Sequence, residues 1–288
     1  MIKFVVSDMD GTLLNNGEIS LGNRKAIERL KDNGIIFAIA SGRDYQGVYS
    51  VIHNYDIKCE AILGNGAQYV DENGQMIMNC YMDKRIVKDV IKVFESNHAP
   101  YMIFTTNGFY TTQDISWVKK EFIERGIRRF HDTYEDFEEG GKFANSPANH
   151  LQLIDNLDEF LTKKQDIIKI ETFALTLKQI ENAKKSLQHI PSICYLSSFD
   201  DNIEVTDDYA QKGFILEKVI ELKGLKKEEV AVLGDGMNDL SMFQCFPYGF
   251  AMGNAEQTIK DLAYQVVSDH KEDGVAQAID IILRDLVD

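Results

Sequence analysis

The chain has 288 residues, of which 44% are hydrophobic and 4 are proline, a composition that folds into one large or two smaller globular domains. Its formal net charge of -15 argues against nucleic acid and anionic membranes as partners, because such a surface repels them. No apolar run approaches the ~20 residues of a membrane span, and the chain starts with a strand rather than a signal peptide. The scattered cysteines form no metal or redox motif, so we expect a cytoplasmic protein with buried, reduced thiols at Cys59, Cys80, Cys194 and Cys245.

The first third of the sequence alternates buried strands with helices. Apolar runs predict strands over residues 4–6, 35–40 and 61–63, and helices are predicted between them over residues 21–32 and 45–55. This βαβαβ order predicts a parallel, doubly wound sheet.

The middle of the sequence follows a different pattern. The pair Asn107-Gly108 between two β-rich runs predicts a hairpin, and a second hairpin is predicted over residues 193–206. Strands are also predicted over residues 151–154 and 167–173, and helices over residues 84–97, 157–164 and 177–188. We interpret residues 83–190 as a separate α+β domain.

From Lys212 the first pattern returns. A helix is predicted over residues 213–222, followed by a strand over 230–233 and then by further alternating helices and strands. The predicted fold class is therefore α/β, a Rossmann-like doubly wound parallel sheet built from residues 1–82 and 191–288. The α+β domain is inserted into it, which chains tolerate where the two linkers lie close together.

Polar residues follow the predicted strands at the edge where open parallel sheets bind their ligands. They fall into three clusters and one lysine at the start of a helix: Asp8 and Asp10; Ser41, Gly42 and Arg43; Asp235, Asn238 and Asp239; and Lys212.

This set of residues predicts a metal site beside a phosphate site. Clustered carboxylates repel one another at neutral pH and need a cation. Because the ligands are all oxygen, with no paired histidine or cysteine, they select a hard metal such as Mg²⁺. A lysine, a hydroxyl group and helix N-termini beside that metal form a cradle for a dianion. A phosphate monoester therefore suits this edge despite the negative net charge.

The ordered motifs resemble those of the haloacid dehalogenase superfamily, and the α+β insertion resembles the cap of its Cof-like, type IIB phosphatases. One mild departure is Gln211, which stands where a serine is common before the lysine. The motifs that carry the resemblance are Asp8-Met9-Asp10-Gly11-Thr12, Ser41, Asn65-Gly66-Ala67, Lys212-Gly213, Gly234-Asp235-Gly236-Met237-Asn238-Asp239, Ala251-Met252-Gly253-Asn254-Ala255 and Glu272-Asp273-Gly274-Val275-Ala276.

The resemblance implies a Mg²⁺-dependent phosphoric monoester hydrolase. Asp8 would form an aspartyl-phosphate, while Asp10 would protonate the leaving group and then activate water. Mg²⁺ would be held by Asp8, the backbone carbonyl of Asp10, and Asp235. The remaining implied roles are support of these ligands by Asp239 and Thr12 and binding of the phosphoryl group by Ser41, Gly42, Lys212 and Asn238.

Several questions stay open at this point. A phosphomutase or other phosphotransferase would share the aspartyl-phosphate, whereas the long insertion and Asp10 argue against a non-enzymatic phospho-acceptor module. The expected partner is a small phosphate ester of the sugar phosphate, FMN or pyridoxal phosphate type, and the chain is expected to be a monomer or a homodimer. Arg43 either touches substrate or pairs with a structural acid. Tyr110, Trp117 and His131 of the inserted domain are candidates for the lining of a substrate pocket, but core packing is the expected role of each.

Overall fold

A computed structural model describes residues 1–287 of the chain, in which strands and helices alternate. The strands are β1 Phe4–Ser7, β2 Ile36–Ala40, β3 Glu60–Leu63, β4 Gln68–Val70, β5 Met76–Asn79, β6 Tyr101–Thr105, β7 Gly108–Thr111, β8 Leu151–Leu153, β9 Ile167–Thr172, β10 Ile193–Leu196, β11 Ile203–Asp207, β12 Val230–Gly234, β13 Tyr248–Ala251 and β14 Gln265–Val266. The α-helices are α1 Leu21–Asp32, α2 Tyr45–Ile52, α3 Lys84–Ser96, α4 Ile115–Phe130, α5 Leu157–Thr162, α6 Leu177–Leu187, α7 Lys212–Lys223, α8 Leu240–Cys245, α9 Gln257–Leu262 and α10 Gly274–Asp285.

Within the described residues, the strands form one sheet of eight strands and one of six. The larger sheet has the order β14-β13-β12-β1-β2-β3-β4-β5, and it is parallel from β14 to β3. Strand β1 lies near its centre, where Phe4 is opposite both Ile36 of β2 and Val230 of β12. The predicted parallel, doubly wound sheet is therefore confirmed.

Strand β1 is buried on both faces. Val5 belongs to an apolar cluster with Leu30 of α1 and Ile279 of α10. Val6, on the other face, packs in a second cluster that includes Leu216 of α7. Strands covered on both faces read as continuous apolar runs, which is why this strand is recognisable in the sequence. Packing from both sides fixes the position of whatever follows the strand.

The smaller sheet has the order β10-β11-β9-β6-β7-β8 and is antiparallel except for the β7–β8 pair. Ile103, Ile170 and Val205 share a buried apolar cluster with residues of α3 and α6. Successive residues of a strand point to opposite faces, so Lys169 and Glu204 lie on the other face. There Lys169 Nζ lies 2.6 Å from Glu204 Oε2 and 2.9 Å from Glu171 Oε2. This sheet therefore carries a buried ion cluster opposite its apolar face.

The chain divides into two compact units. We call Met1–Cys80 with Tyr209–Asp288 unit 1 and Tyr81–Asp208 unit 2. The second boundary thus follows residue 208 rather than residue 190, the predicted position. The reason is the hairpin of β10 and β11, which pairs with β9 through Ile203 opposite Thr172 and contributes Ile203 to the apolar cluster of unit 2.

The structure bears on two expectations from composition, the absence of a membrane span and the state of the cysteines. Among the described residues, no helix has both the length and the apolar character of a membrane span. All four cysteines are free thiols, but only Cys59 is buried, whereas the other three are partly exposed. The expectation of buried thiols therefore holds for Cys59 alone.

Candidate active site

Asp8 follows β1 directly and is only 4% exposed. Its backbone N–H donates to the carbonyl of Leu233 in β12 at 2.9 Å, which extends the sheet by one residue. Lys212 is the first residue of α7, and its Nζ lies 2.6 Å from Asp8 Oδ1. The predicted nucleophile therefore faces a buried ammonium group.

Asp239 holds the same lysine from the other side. Lys212 Nζ lies 2.6 Å from Asp239 Oδ1, and both side chains are inaccessible to solvent. Asp239 Oδ2 accepts hydrogen bonds from the backbone N–H groups of Asp235 at 2.9 Å and Gly236 at 3.1 Å. Because both of its oxygens have partners, Asp239 orients Lys212 and the Asp235 turn, while its support of the metal ligands stays a prediction.

Asp235 lies against the turn that follows Asp8. Thr12 Oγ1 donates to Asp235 Oδ1 at 2.8 Å. Gly11 has a positive φ of 83°, and a Cβ atom at that position would overlap the Asp235 carboxylate. Glycine is therefore required both for the backbone conformation and for the close approach. The Gly11-Thr12 part of the motif serves to place Asp235.

Gly213, the second residue of α7, allows the start of this helix to pack closely against α8. Gly213 N–H donates to Ser241 Oγ of α8 at 2.9 Å, and a Cβ atom on Gly213 would overlap the Ser241 carbonyl group. The absence of a side chain allows the start of α7 to pack directly on α8. That packing fixes the backbone of Lys212, which explains the pairing of lysine and glycine in the motif.

Negative charge exceeds positive charge at this site. Carboxylate oxygens of Asp8, Asp235 and Asp239 lie within 4.8 Å of one another. Burial, and then the charge of Asp239, raise the pKa of Asp8 well above its usual range and raise the pKa of Asp235 to about 7. Burial alone would lower the pKa of Lys212, but the Asp239 and Asp8 carboxylates outweigh it and raise that pKa. Burial and the crowding of three acids around a single ammonium group together raise the pKa values of Asp8 and Asp235.

The donor set fits Mg²⁺. The cluster offers carboxylate oxygens, which are the ligands that Mg²⁺ prefers in proteins. Among the described residues, no hydrogen-bond donor lies on Asp8 Oδ2, so this oxygen is available to a ligand. A divalent cation would also offset the excess negative charge of the cluster. Asp8 and Asp235 are the side chains that would hold it, and the Asp10 carbonyl stays a predicted third ligand.

The Asp10 side chain is bound to Arg43 rather than to the acid cluster. Arg43 Nε donates to Asp10 Oδ2 at 2.7 Å, and Nη2 donates to Oδ1 at 2.6 Å. Arg43 Nη1 also donates to the carbonyl of Gly47 at 3.1 Å. Burial alone would lower the pKa of Arg43, but the Asp10 carboxylate raises it above its ordinary value. The partner of Arg43 is thus the predicted acid–base residue itself, an arrangement that neither sequence-based alternative named.

The turn after β2 is tied to the turn after β3. Ser41 is 1% exposed, and its carbonyl accepts the backbone N–H of Asn65 at 3.0 Å. Asn65 Oδ1 in turn accepts a long hydrogen bond of 3.4 Å from Asn238 Nδ2. Gly42 lies between Ser41 and Arg43 in the same turn. The phosphate-binding roles of Ser41, Gly42 and Asn238 stay predictions.

Asn65, which contacts both Ser41 and Asn238, had no role predicted from the sequence beyond its place in the motif Asn65-Gly66-Ala67. Asn65 is fully buried and has a positive φ of 58°. Its position two residues after Leu63, the last residue of β3, is the sequence signal that could have marked it as a site residue, since ligands bind beyond the ends of parallel strands.

Of the three residues of unit 2 that were considered for a substrate pocket, Tyr110 lies in β7, whereas Trp117 and His131 lie at opposite ends of α4. The Tyr110 ring packs against the Phe160 ring, with 4.9 Å between their centroids. Trp117 lies in the first turn of α4, where its backbone N–H donates to Oδ1 of the capping residue Asp114 at 2.8 Å. His131 ends that helix with a positive φ of 59°. Tyr110 therefore has the packing role expected of it.

Comparison with known proteins identifies the family. A family model described as haloacid dehalogenase-like hydrolase matches residues 5–279. The chain belongs to the haloacid dehalogenase-like hydrolase family. The resemblance noted in the sequence is thereby confirmed.

Members of this family with known names or structures match the chain over nearly its whole length. Phosphatase YwpJ of Bacillus subtilis (strain 168) is 28% identical over 98% of this chain and 100% of its own. The 5-amino-6-(5-phospho-D-ribitylamino)uracil phosphatase YwtE of the same organism is 27% identical over 98% of each chain. The solved structure of a haloacid dehalogenase-like hydrolase from B. subtilis has a TM-score of 0.83 at 27% identity, covering 97% of this chain and 99% of its own.

Proposed function

We propose that this haloacid dehalogenase-like hydrolase is a Mg²⁺-dependent phosphatase that hydrolyses small phosphorylated metabolites through an aspartyl-phosphate on Asp8. The observation that carries the proposal is the buried contact of 2.6 Å between Asp8 and Lys212, with Asp10 two residues further on. The names of YwpJ and YwtE support the reaction class, since both are phosphatases. YwtE is named for a phosphorylated ribityl compound, which supports a small metabolite as substrate.

In the first step, an Asp8 oxygen forms a bond to phosphorus as the bond to the leaving-group oxygen breaks. Asp10 gives its proton to that oxygen, so the product leaves as an alcohol. Lys212 favours the ionised form of Asp8 and so opposes the effects of burial and of the neighbouring acids. When bound, Mg²⁺ would supply positive charge to the cluster and to the phosphoryl oxygens.

In the second step, Asp10 takes a proton from water as the water oxygen bonds to phosphorus. The bond from phosphorus to Asp8 breaks, and inorganic phosphate leaves with the carboxylate restored. In this scheme Asp8 is the nucleophile and Asp10 transfers the proton in both steps.

We further propose that unit 2 selects the leaving group. The unit 1 residues assigned above address the phosphoryl group and its metal, which all phosphate esters share. Discrimination between esters therefore has to come from other residues, and the α+β unit inserted between β5 and α7 is the expected source.

Trapping of the covalent intermediate tests the mechanism. With ³²P-labelled p-nitrophenyl phosphate, wild type and Asp10→Asn should both become labelled, because this leaving group needs no proton. Asp10→Asn should hold the label longer, since it lacks the base that activates water. Asp8→Asn is nearly isosteric and should show neither label nor turnover.

The result that would overturn the proposal is turnover by Asp8→Asn at more than a few per cent of the wild-type rate. Label that is transferred to a sugar phosphate rather than released as inorganic phosphate would instead identify a phosphotransferase. Label that forms once and is never released would identify a phospho-acceptor module.

A further inference from the structure

We propose that Asn254 is a positioning residue that fixes the orientation of the Asp235 carboxylate and thereby sets the affinity of the acid cluster for Mg²⁺. The inference rests on the proposed function, because it takes Asp235 as a metal ligand. Asn254 lies in the turn after β13 and was noted in the sequence only as part of the motif Ala251-Met252-Gly253-Asn254-Ala255.

The Asn254 amide joins three turns of unit 1. Its Nδ2 donates to the backbone carbonyl of Gly11 at 2.9 Å and to Asp235 Oδ2 at 3.2 Å. Its Oδ1 accepts the backbone N–H of His270 at 3.1 Å. One side chain thus uses both donor hydrogens and its acceptor to connect the turns after β1, β12 and β14.

These contacts complete the restraint on Asp235. Thr12 Oγ1 holds Asp235 Oδ1 at 2.8 Å, and Asn254 Nδ2 holds Oδ2. With a donor on each oxygen, rotation of the carboxylate plane breaks at least one hydrogen bond. Residues that hydrogen-bond a ligating carboxylate in this way orient it for the metal, and their loss typically weakens metal binding about 10-fold to 100-fold.

The turn that carries Asn254 has anchors that do not involve its side chain. Gly253 N–H donates to the Ser268 carbonyl at 3.1 Å, and Lys260 Nζ donates to the Gly253 carbonyl at 2.6 Å. Glu256 N–H donates to the Asp235 carbonyl at 3.0 Å. Asn254 is exposed and its partners Gly11, Asp235 and His270 are each partly exposed, so its removal leaves no fully buried residue without a hydrogen-bond partner. The substitution Asn254→Ala should therefore preserve the fold while releasing Asp235.

The test is calorimetric titration of Mg²⁺ into the metal-free full-length protein, without substrate. Asn254→Ala should bind Mg²⁺ about 10-fold more weakly than wild type, by the magnitude usual for such residues. Lys260→Ala is the matched control, since Lys260 holds the same turn through Gly253 but does not touch Asp235. It should bind Mg²⁺ like wild type, and thermal unfolding of metal-free wild type, Asn254→Ala and Lys260→Ala should coincide. Asp235→Asn should show the weakest binding of the four.

Kinetics supply a second readout. In Asn254→Ala, the Mg²⁺ concentration for half-maximal rate should rise by the same factor, while kcat at saturating Mg²⁺ stays near the wild-type value. Wild-type affinity in Asn254→Ala, or an equal loss in Lys260→Ala, would overturn the inference and leave the proposed function standing. Mg²⁺ binding that is the same in wild type and Asp235→Asn would overturn both.

Discussion

Arg43 forms a bidentate ion pair with Asp10, in which Nε donates to Oδ2 at 2.7 Å and Nη2 donates to Oδ1 at 2.6 Å. This pairing occupies both oxygens of the residue to which we assign proton transfer. Asp10 is 45% exposed at its side chain, so it is the exposed member of a motif whose other acid is buried. Arg43 therefore fixes the position of the Asp10 carboxylate when no substrate is bound.

Arg43 should act on turnover only through Asp10. Replacement of Arg43 by alanine should lower kcat by about 10-fold to 100-fold, the usual effect of a misplaced catalytic group. Asp10→Asn should lower it by about 10²-fold to 10⁴-fold, the usual contribution of general acid–base catalysis. Adding Arg43→Ala to Asp10→Asn should then cost nothing further, which a double-mutant cycle on kcat measures. Arg24→Ala, which removes a guanidinium lying 4.9 Å from the Tyr55 ring, is the control. If the two losses multiply in full, Arg43 has a separate function such as substrate binding.

Protons should compete with Mg²⁺ at the acid cluster. Burial and the Asp239 charge raise the pKa of Asp235 to about 7 and raise that of Asp8 as well. Asp235 is ionised above its pKa and must lose a proton to bind metal below it, so affinity should fall as the pH drops from about 8 to about 6. Titration calorimetry in buffers of different ionisation enthalpy measures both the affinity and the protons released. Affinity that is constant over this interval would contradict the prediction.

Removal of one charge from the ion cluster of unit 2 should lower the free energy of unfolding strongly, whereas replacement of all three charged residues should lower it only slightly. Lys169 and Glu204 have side chains 6% and 5% exposed, so Lys169→Met leaves buried carboxylates without their cation and should destabilise the protein by about 3–5 kcal/mol. Adding Glu171→Gln and Glu204→Gln should recover most of that loss. Urea unfolding followed by fluorescence of Trp117, the single tryptophan of the chain, reports on this unit. Lys92→Met removes an exposed pair with Asp89 and should have no measurable effect. A triple variant no more stable than Lys169→Met would disprove the charge argument.

Substitutions in the two units should change substrate preference differently. Phe109 packs edge-on against Phe104 across the β6–β7 hairpin, with 5.2 Å between centroids. Phe109→Ala should change kcat/KM unequally for three unlike phosphate esters, because we assign leaving-group selection to unit 2. Lys212→Ala should lower all three by a similar factor of about 10²–10³, as expected for loss of a charge-stabilising group. A reordering of the substrates by Lys212→Ala, with no reordering by Phe109→Ala, would refute this assignment.

The larger sheet and the placement of its acids follow from the sequence because they depend on strong local signals. A continuous apolar run such as residues 4–6 has to be buried on both faces, and parallel strands bring their carboxyl ends to one edge. The Gly11-Thr12 pair could be placed beside Asp8 for the same reason, since it is adjacent in the chain.

What the sequence did not predict depends on contacts between distant residues. The Arg43–Asp10 pair joins the turns after two strands and requires particular side-chain rotamers. The end of unit 2 depends on which strand the β10–β11 hairpin joins, and a hairpin signal does not contain that information. Helix α4 was missed although Asp114 is a good N-cap and Val118 and Phe122 have helical spacing, so this signal was present in the sequence.

The central position of β1 also governs the order in which the molecule is completed. Val230, which pairs with Phe4, is synthesised after every residue of unit 2. Until β12 emerges from the ribosome, one edge of β1 lacks a neighbour, and such edges are where nascent chains associate wrongly. The sheet of unit 2 comes from one continuous stretch and needs no such wait. The amide of Asp8 meets the Leu233 carbonyl only after all of unit 2 has been synthesised, so the candidate active site is assembled later than the inserted unit can fold.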